Sequence, residues 1–170
     1  MLQQICHSYP YYNSKTINRS QYNLTSCILP QQGRNFCIFD KEEVDYFVKQ
    51  REKALPVLTD VLIRSNNEPQ IVETLHIINK MADNGTKGID KLYPYLSRFN
   101  NTTSPNIQTY LAGIYRKTQV PDGFGPLVQM LIQNSLQPKQ NQLFDPNEEI
   151  GGAVLSYISD RFRKNTTNRN

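Results

Sequence analysis

The chain has 170 residues, which fits one domain, and 38% of them are hydrophobic, which is enough to form a core. Its net charge of +4 permits weak attraction to anionic partners but is far from the dense Lys/Arg content of a dedicated nucleic-acid-binding domain. Because no apolar run approaches the ~18 residues of a transmembrane helix, we expect no membrane span.

The three cysteines, Cys6, Cys27 and Cys37, all lie near the N-terminus. An odd number with irregular spacing does not indicate a disulfide framework, and reduced thiols in a cytoplasmic protein are the simplest interpretation. Together with His7 they contain the donors of a three-Cys, one-His zinc site, but their spacing matches no CxxC pattern. The first residues also lack the basic and apolar regions of a secretory signal. We therefore expect a cytoplasmic location and no cofactor.

Residues 1–39 are rich in Asn, Gln, Ser and Tyr and show no sustained periodicity. Such a segment buries too little apolar surface to offset the entropy lost on ordering it. We therefore expect a largely unstructured, flexible N-terminal segment. The alternative is a docking arm, in which Tyr9, Tyr11 and Tyr12 pack on a partner or on the domain itself.

The helical domain is predicted to begin at Asp40. Asp40 and Glu43 have the spacing of a capping box, in which each side chain accepts a hydrogen bond from the backbone N–H of the other. An apolar stripe at helical spacing follows. We predict a flexible segment at 1–39, a helical repeat domain at 40–165 and a frayed tail at 166–170.

The clearest pattern covers residues 54–85 and predicts two amphipathic helices joined by a polar turn at Asn66 and Asn67. Pro56 lies within the first apolar stripe, where a proline kinks a helix or makes it restart. Pro69 suits the first turn of the second helix, because the N–H that proline lacks has no partner there.

Weaker copies of this pattern begin at Gly88 and Pro121, and the third contains a longer loop at 137–144. Self-similarity at a period of about 32–38 residues is typical of a solenoid, in which helix pairs bury their apolar faces by stacking. The last helix is predicted to complete the core through its apolar residues. Those residues are Ile150, Val154, Leu155, Ile158 and Phe162. Prolines recur inside the first helices at Pro56, Pro94 and Pro126, and at the starts of the second helices at Pro69, Pro105 and Pro146.

The run Ala54-Leu55-Pro56-Val57-Leu58 through Leu62, with a helix-breaking proline in the first helix of each pair, resembles HEAT and armadillo repeat proteins. The resemblance covers about residues 40–162. It implies an all-α fold, a short right-handed α-solenoid of about three helix pairs. The Asp and Arg common at the hairpin turns of such repeats are not regularly present here. No catalytic motif accompanies the resemblance, so it implies no active-site residue.

The second helices line the concave side of such solenoids. Off their apolar stripes lie polar, basic and aromatic residues that form one mildly basic face if the helices stack in register. This candidate partner-binding face comprises His76, Asn79, Lys80, Gln108, Tyr115, Arg116, Lys117, Tyr157, Arg161 and Lys164. One interpretation is a groove for an acidic peptide or, with less support, a nucleic-acid backbone. The other is an ordinary solvated helix surface.

No catalytic set is recognisable, since a lone His76 does not define a metal site or a base and Glu148 and Glu149 fit a helix start. The first hypothesis is a non-enzymatic protein-protein interaction module or scaffold. The alternative is a nucleic-acid-binding or nucleic-acid-processing protein on a HEAT-like scaffold, a class that includes DNA glycosylases, but the chain has no Trp and only modest charge. A third hypothesis is a small assembly subunit whose exposed apolar end faces self-associate. The sequence does not specify the oligomeric state.

Overall fold

The computed structural model describes residues 41–136 and 145–167, and within these ranges it contains helices and turns but no strands. The prediction of an all-α fold is confirmed for this part of the chain. The predicted flexible segment at 1–39, the Asp40 cap and the loop at 137–144 lie outside the described residues. The α-helices are α1 (Lys41–Gln50), α2 (Leu55–Arg64), α3 (Glu68–Asp83), α4 (Tyr93–Leu96), α5 (Pro105–Thr118), α6 (Phe124–Ser135) and α7 (Pro146–Thr167).

Helices α3, α5 and α7 begin in the same way, with a proline in the first turn next to a side-chain cap. In each case a side-chain oxygen accepts a hydrogen bond from a backbone N–H that has no partner within the helix. These acceptors and their N–H donors are Asn67 and Gln70 at 3.1 Å, Ser104 and Ile107 at 3.5 Å, and Asp145 and Asn147 at 2.9 Å. The predicted helix starts are therefore confirmed at all three places.

The prolines in the first helices mark restarts of the chain. Before α2 the backbone forms a 3-10 turn over Arg51–Ala54, with a positive φ of 50° at Arg51, and Pro56 then occupies the first turn of α2. Likewise, α4 has Pro94 in its first turn and lies between 3-10 turns at Asp90–Leu92 and Ser97–Phe99. A proline in a first turn breaks no helical hydrogen bond, so these segments change direction without that cost.

Helices α3, α5 and α7 lie side by side, with α5 in the middle. Helices α1 and α2 pack on α3, α2 also contacts α4, and α6 packs on α7. The core between them is apolar, and full burial of one such side chain contributes about 1.5–3 kcal/mol. Its fully buried members include Leu58, Leu62, Leu75, Ile77, Ile78, Leu96, Leu111, Ile114, Tyr115, Leu127 and Met130.

Polar contacts join residues that lie about one helix pair apart in the sequence. The separations range from 26 residues, between Gln108 and Asn134, to 37 residues, and six contacts fall between 35 and 37 residues. The contacts are Lys87 N to Glu52 Oε1, Arg98 Nη1 to Leu62 O and Ile63 O, Ser104 Oγ to Glu68 Oε1, Gln119 Nε2 to Ser156 Oγ, and Tyr157 Oη to Val120 O. These six contacts join parts of the chain that lie about one helix pair apart.

The last helix differs from the prediction. Ile150 is buried, but Leu155, Ile158 and Phe162 are 65%, 37% and 70% exposed, so the prediction that these three complete the core is wrong. The reason is that α5 and α6 pack against α7 and leave this side of it in contact with solvent.

Helix α7 also continues to Thr167, two residues into the predicted tail, and an ion pair of 2.6 Å between Lys164 and Asp160 supports its last turns.

Candidate functional site

Three residues of the predicted face are buried in the core. For Gln108, Tyr115 and Tyr157 the prediction of an exposed binding role is therefore wrong. Helix α5 contacts α3, α6 and α7, and helix α7 contacts α5 and α6, so positions beside their apolar stripes are also covered. The Tyr115 hydroxyl donates to Asn100 Oδ1 at 2.8 Å, and the Tyr157 hydroxyl donates to the Val120 carbonyl at 2.7 Å.

These two tyrosines act as buried hydrogen-bond donors. Burial, with smaller contributions from neighbouring tyrosines, raises the pKa of both Tyr115 and Tyr157 well above the ordinary value of a phenol. Both hydroxyls therefore stay neutral. Tyr115 lies 5.7 Å from the Tyr93 ring, and Tyr157 lies 5.7 Å from the Phe124 ring, which are distances typical of packed aromatic pairs.

Gln108 belongs to a chain of amides between α5, α6 and α7. Its Nε2 donates to the Thr102 carbonyl at 2.8 Å, and its Oε1 accepts from Asn134 Nδ2 at 2.9 Å. The same Asn134 nitrogen lies 3.1 Å from Asn147 Oδ1 and donates to it. Satisfied polar groups of this kind hold packed helices in one arrangement, so Gln108 orients helices and does not face a partner.

The predicted face residues of α3 lie next to those of α5. The His76 and Tyr110 rings lie 5.2 Å apart in an edge-to-face arrangement, Asn79 contacts Gly113, and Lys117 forms an ion pair of 2.5 Å with Asp83. Because the three contacts follow the same order on both helices, α3 and α5 run parallel in register. We call the resulting surface the α3–α5 face; it consists of His76, Asn79, Lys80, Asp83, Tyr110, Gly113, Arg116 and Lys117.

The centre of the α3–α5 face depends on a glycine. A Cβ atom on Gly113 would lie 2.6 Å from Asn79 Oδ1 and 3.2 Å from Asn79 Cγ, so the close approach of the two helices requires the absence of a side chain. The Asn79 Oδ1 atom is buried and has no hydrogen-bond partner among the described residues. This amide oxygen is therefore an unsatisfied polar atom within the face.

The charges of the α3–α5 face are largely paired. Lys117 binds Asp83 across the α3–α5 contact, and Arg116 Nη2 lies 3.0 Å from Glu149 Oε1 across the α5–α7 contact. Such partly exposed pairs contribute about 0–1 kcal/mol each. The face is accordingly of mixed charge, to which exposed Lys80 adds positive charge.

Arg161 does not join this face, and Lys164 forms an ion pair with Asp160 on its own helix. The Arg161 guanidinium lies over the Phe124 ring at 5.2 Å from its centroid, so Arg161 is on the α6 side of α7. Glu149, by contrast, reaches Arg116 on the α5 side. The prediction of one continuous basic face is therefore wrong for Arg161, because α7 presents this residue towards α6.

The imidazole of His76 is half-buried and held neutral. Burial lowers its pKa first, and the positive charge of Lys80 lowers it further. Within residues 41–136 and 145–167, no group of three or more His, Cys, Asp or Glu side chains is arranged to hold a metal ion. The face therefore offers hydrogen bonds, ring edges and charge, which are recognition groups.

Three residues of the face, Asp83, Tyr110 and Gly113, were not predicted, and neither was Glu149, which borders the face on α7. Asp83 has a local signal, since it lies three residues after Lys80 and so on the same side of α3. Tyr110 belongs to the face, and Glu149 borders it, only because of the register between neighbouring helices, which a single sequence does not contain.

Among the helices that the structure describes, none combines the length and the apolar character needed to cross a membrane. Comparison of the chain with protein-family models, with curated proteins and with solved structures finds no match in any of the three.

Proposed function

We propose that this protein is a non-enzymatic protein-protein interaction module or scaffold, built as a short right-handed α-solenoid of about three HEAT- or armadillo-like helix pairs. The observation that supports it is the set of contacts between residues 35 to 37 positions apart. A recurring separation is what stacked repeats produce, because each residue meets its equivalent neighbourhood in the next unit.

In this proposal the helix pairs are α2 with α3, the α4 segment with α5, and α6 with α7. The second helices α3, α5 and α7 then form one layer, consistent with their side-by-side packing. Such a layer is rigid because each helix is held by its neighbours, and it presents side chains in fixed positions. Rigid presentation of this kind lowers the entropy cost of binding an extended partner.

The α3–α5 face is the proposed binding surface. It offers Lys80 as a cation, the neutral His76 imidazole and the ring of Tyr110. This combination suits a polypeptide segment with an acidic side chain near Lys80. The proposed partner is thus a protein or peptide with acidic character.

A nucleic-acid partner gains no support from the geometry. The ion pairs of Arg116 and Lys117 place Glu149 and Asp83 on the same surface, where they would repel a phosphate backbone. We therefore favour the polypeptide partner.

The test is affinity capture from an extract of the native host with the full chain and a Lys80→Glu/Lys117→Gln variant. The variant removes positive charge from the α3–α5 face and is expected to capture less of the bound proteins. A Lys49→Glu/Lys53→Gln variant is the matched control, because both lysines are exposed on and just after α1 and the charge change is identical. Equal capture by the two variants, at unchanged circular dichroism, would exclude the α3–α5 face as the binding surface.

A further inference from the structure

The exposed side of α7 carries a regular apolar row. Leu155, Ile158 and Phe162 are exposed large apolar residues, and Gly151 lies one turn before Leu155, with no atom within 4 Å of where its Cβ would be. Single exposed apolar residues are ordinary on a protein surface. Four positions at helical spacing along one side form a seam, which marks an interaction surface.

The intervals between the seam residues follow the same order whether α7 is followed from its start or from its end. Its successive intervals are four, three and four residues, the alternation that lets two helices pair along a coiled-coil seam. If a second α7 lies antiparallel across a two-fold axis between Leu155 and Ile158, the seam meets itself. Leu155 then lies opposite Ile158 of the other copy, and Phe162 lies opposite Gly151, so the largest side chain meets the position with no side chain.

The charges on α7 select the same orientation. Glu148 lies at its start, whereas Arg163 lies near its end; the neighbouring Glu149 and Lys164 are paired within the same copy, with Arg116 and Asp160. Antiparallel pairing places the acidic start of one copy beside the basic end of the other and opposes the two helix dipoles favourably. Parallel pairing would instead place acid beside acid, base beside base and Phe162 against Phe162.

We propose that two copies of this chain associate through an antiparallel, two-fold pairing of their α7 helices along Gly151, Leu155, Ile158 and Phe162. A self-complementary patch of this kind produces a closed dimer, because the same residues are used by both copies. The surface is separate from the α3–α5 face. Dimerisation therefore holds or fails independently of the proposed function, and in the dimer each α3–α5 face remains available.

Sedimentation equilibrium of the full chain over about two decades of concentration tests this association, since a dimer dissociates on dilution by mass action. We expect the mass to rise from that of the monomer to twice that value. A Leu155→Ser/Phe162→Ser variant is expected to raise the dissociation constant at least about tenfold, as loss of central apolar contacts does. Both positions are exposed, so circular dichroism should show an unchanged fold.

An Ile132→Ser/Leu136→Ser variant is the matched control. These residues are 55% and 79% exposed and lie one turn apart, in and just after the last turn of α6, so the variant removes similar apolar surface without changing α7. Its dissociation constant should equal that of the wild type. A monomeric wild type at all concentrations overturns the proposal, and so does equal weakening by the two double variants.

The orientation has its own test. Glu148→Arg should weaken an antiparallel dimer, because it places like charges together at both ends, and adding Arg163→Glu to the same chain should restore the dimer. In a parallel dimer the wild type already has like charges opposed, so Glu148→Arg would not weaken it. A dimer unaffected by Glu148→Arg therefore overturns the antiparallel arrangement.

Discussion

Gly123 lies where the 3-10 turn at Pro121–Gly123 meets α7. A Cβ atom there would be 2.7 Å from the Tyr157 hydroxyl oxygen, 3.1 Å from Val120 Cγ2 and 3.2 Å from Tyr115 Cγ. The Tyr157 hydroxyl cannot easily move, because it is buried and donates to the Val120 carbonyl. Gly123 is thus required for space, and its place in the turn allows the two buried tyrosines to pack.

Gly123→Ala is therefore expected to lower the free energy of unfolding by about 1–3 kcal/mol, the usual cost of adding a methyl group to a tightly packed site. Gly125→Ala is the control, because no atom lies within 4 Å of its Cβ position and the substitution restricts the unfolded chain. The control should be neutral or stabilising by up to about 1 kcal/mol. Urea denaturation of both variants measures the difference, and equal stabilities would contradict the packing argument.

The prediction of a partner-binding face was right about which residues share one side of α3 and wrong about the exposure of Tyr115 and Tyr157. His76, Asn79 and Lys80 lie on one side of α3, as their spacing predicts. Tyr115 and Tyr157 lie beside an apolar stripe, and the sequence does not show whether a neighbouring helix covers that edge. Both carry hydroxyl groups that suit an exposed position as well as a buried one with a partner.

Between elements, Arg98 connects one hairpin to the one before it. Its guanidinium donates to the Leu62 carbonyl and, at 2.7 Å, to the Ile63 carbonyl, both at the end of α2. These carbonyls lie in the last turn of a helix, where the backbone has no further donor and the helix dipole favours a positive charge. Arg98 therefore caps α2 from a turn that lies about 35 residues later in the chain.

Arg98→Met is expected to lower the free energy of unfolding by about 1–2 kcal/mol, because it keeps the aliphatic stem but leaves the α2 carbonyls without their charged donor. Arg98→Lys should lose less, since it keeps the charge but lacks the second guanidinium nitrogen, Nη2, which donates to Asn66 Oδ1. Thermal or urea unfolding should rank the wild type above Lys and Lys above Met. Equal stability of the Met variant and the wild type would show that this cap contributes nothing.

The elements themselves were largely predictable where the signal is local. The starts of α3, α5 and α7 follow from a capping side chain beside a proline, both of which act within one turn. The exposed side of α7 was not predictable in the same way, because Leu155, Ile158 and Phe162 follow the same helical spacing as buried residues. Only the number of neighbours around α7 decides which side is covered.

At the scale of the whole molecule, the position of each helix in the stack determines how well it is held. Helix α5 packs between α3 and α7, and its residues from Leu111 to Tyr115 are all buried. Helix α1 packs on α3 alone among the long helices, and α7 has one side exposed to solvent. In a stacked array, stability is approximately a sum over units and their neighbouring interfaces, so helices with fewer neighbours open at lower free energy.

Native-state hydrogen exchange at increasing urea concentration is therefore expected to show α5 amides exchanging only through global unfolding. Amides of α1 and of the last turns of α7 should exchange earlier, through local opening with a smaller dependence on urea. The Leu155→Ser/Phe162→Ser variant should be measured in parallel, because any α7 pairing between copies would protect α7 by mass action without changing α5. Uniform protection of all helices would mean that the array unfolds as one cooperative unit. Stronger protection of α7 than of α5 in this variant would contradict the argument that helices with fewer neighbours open first.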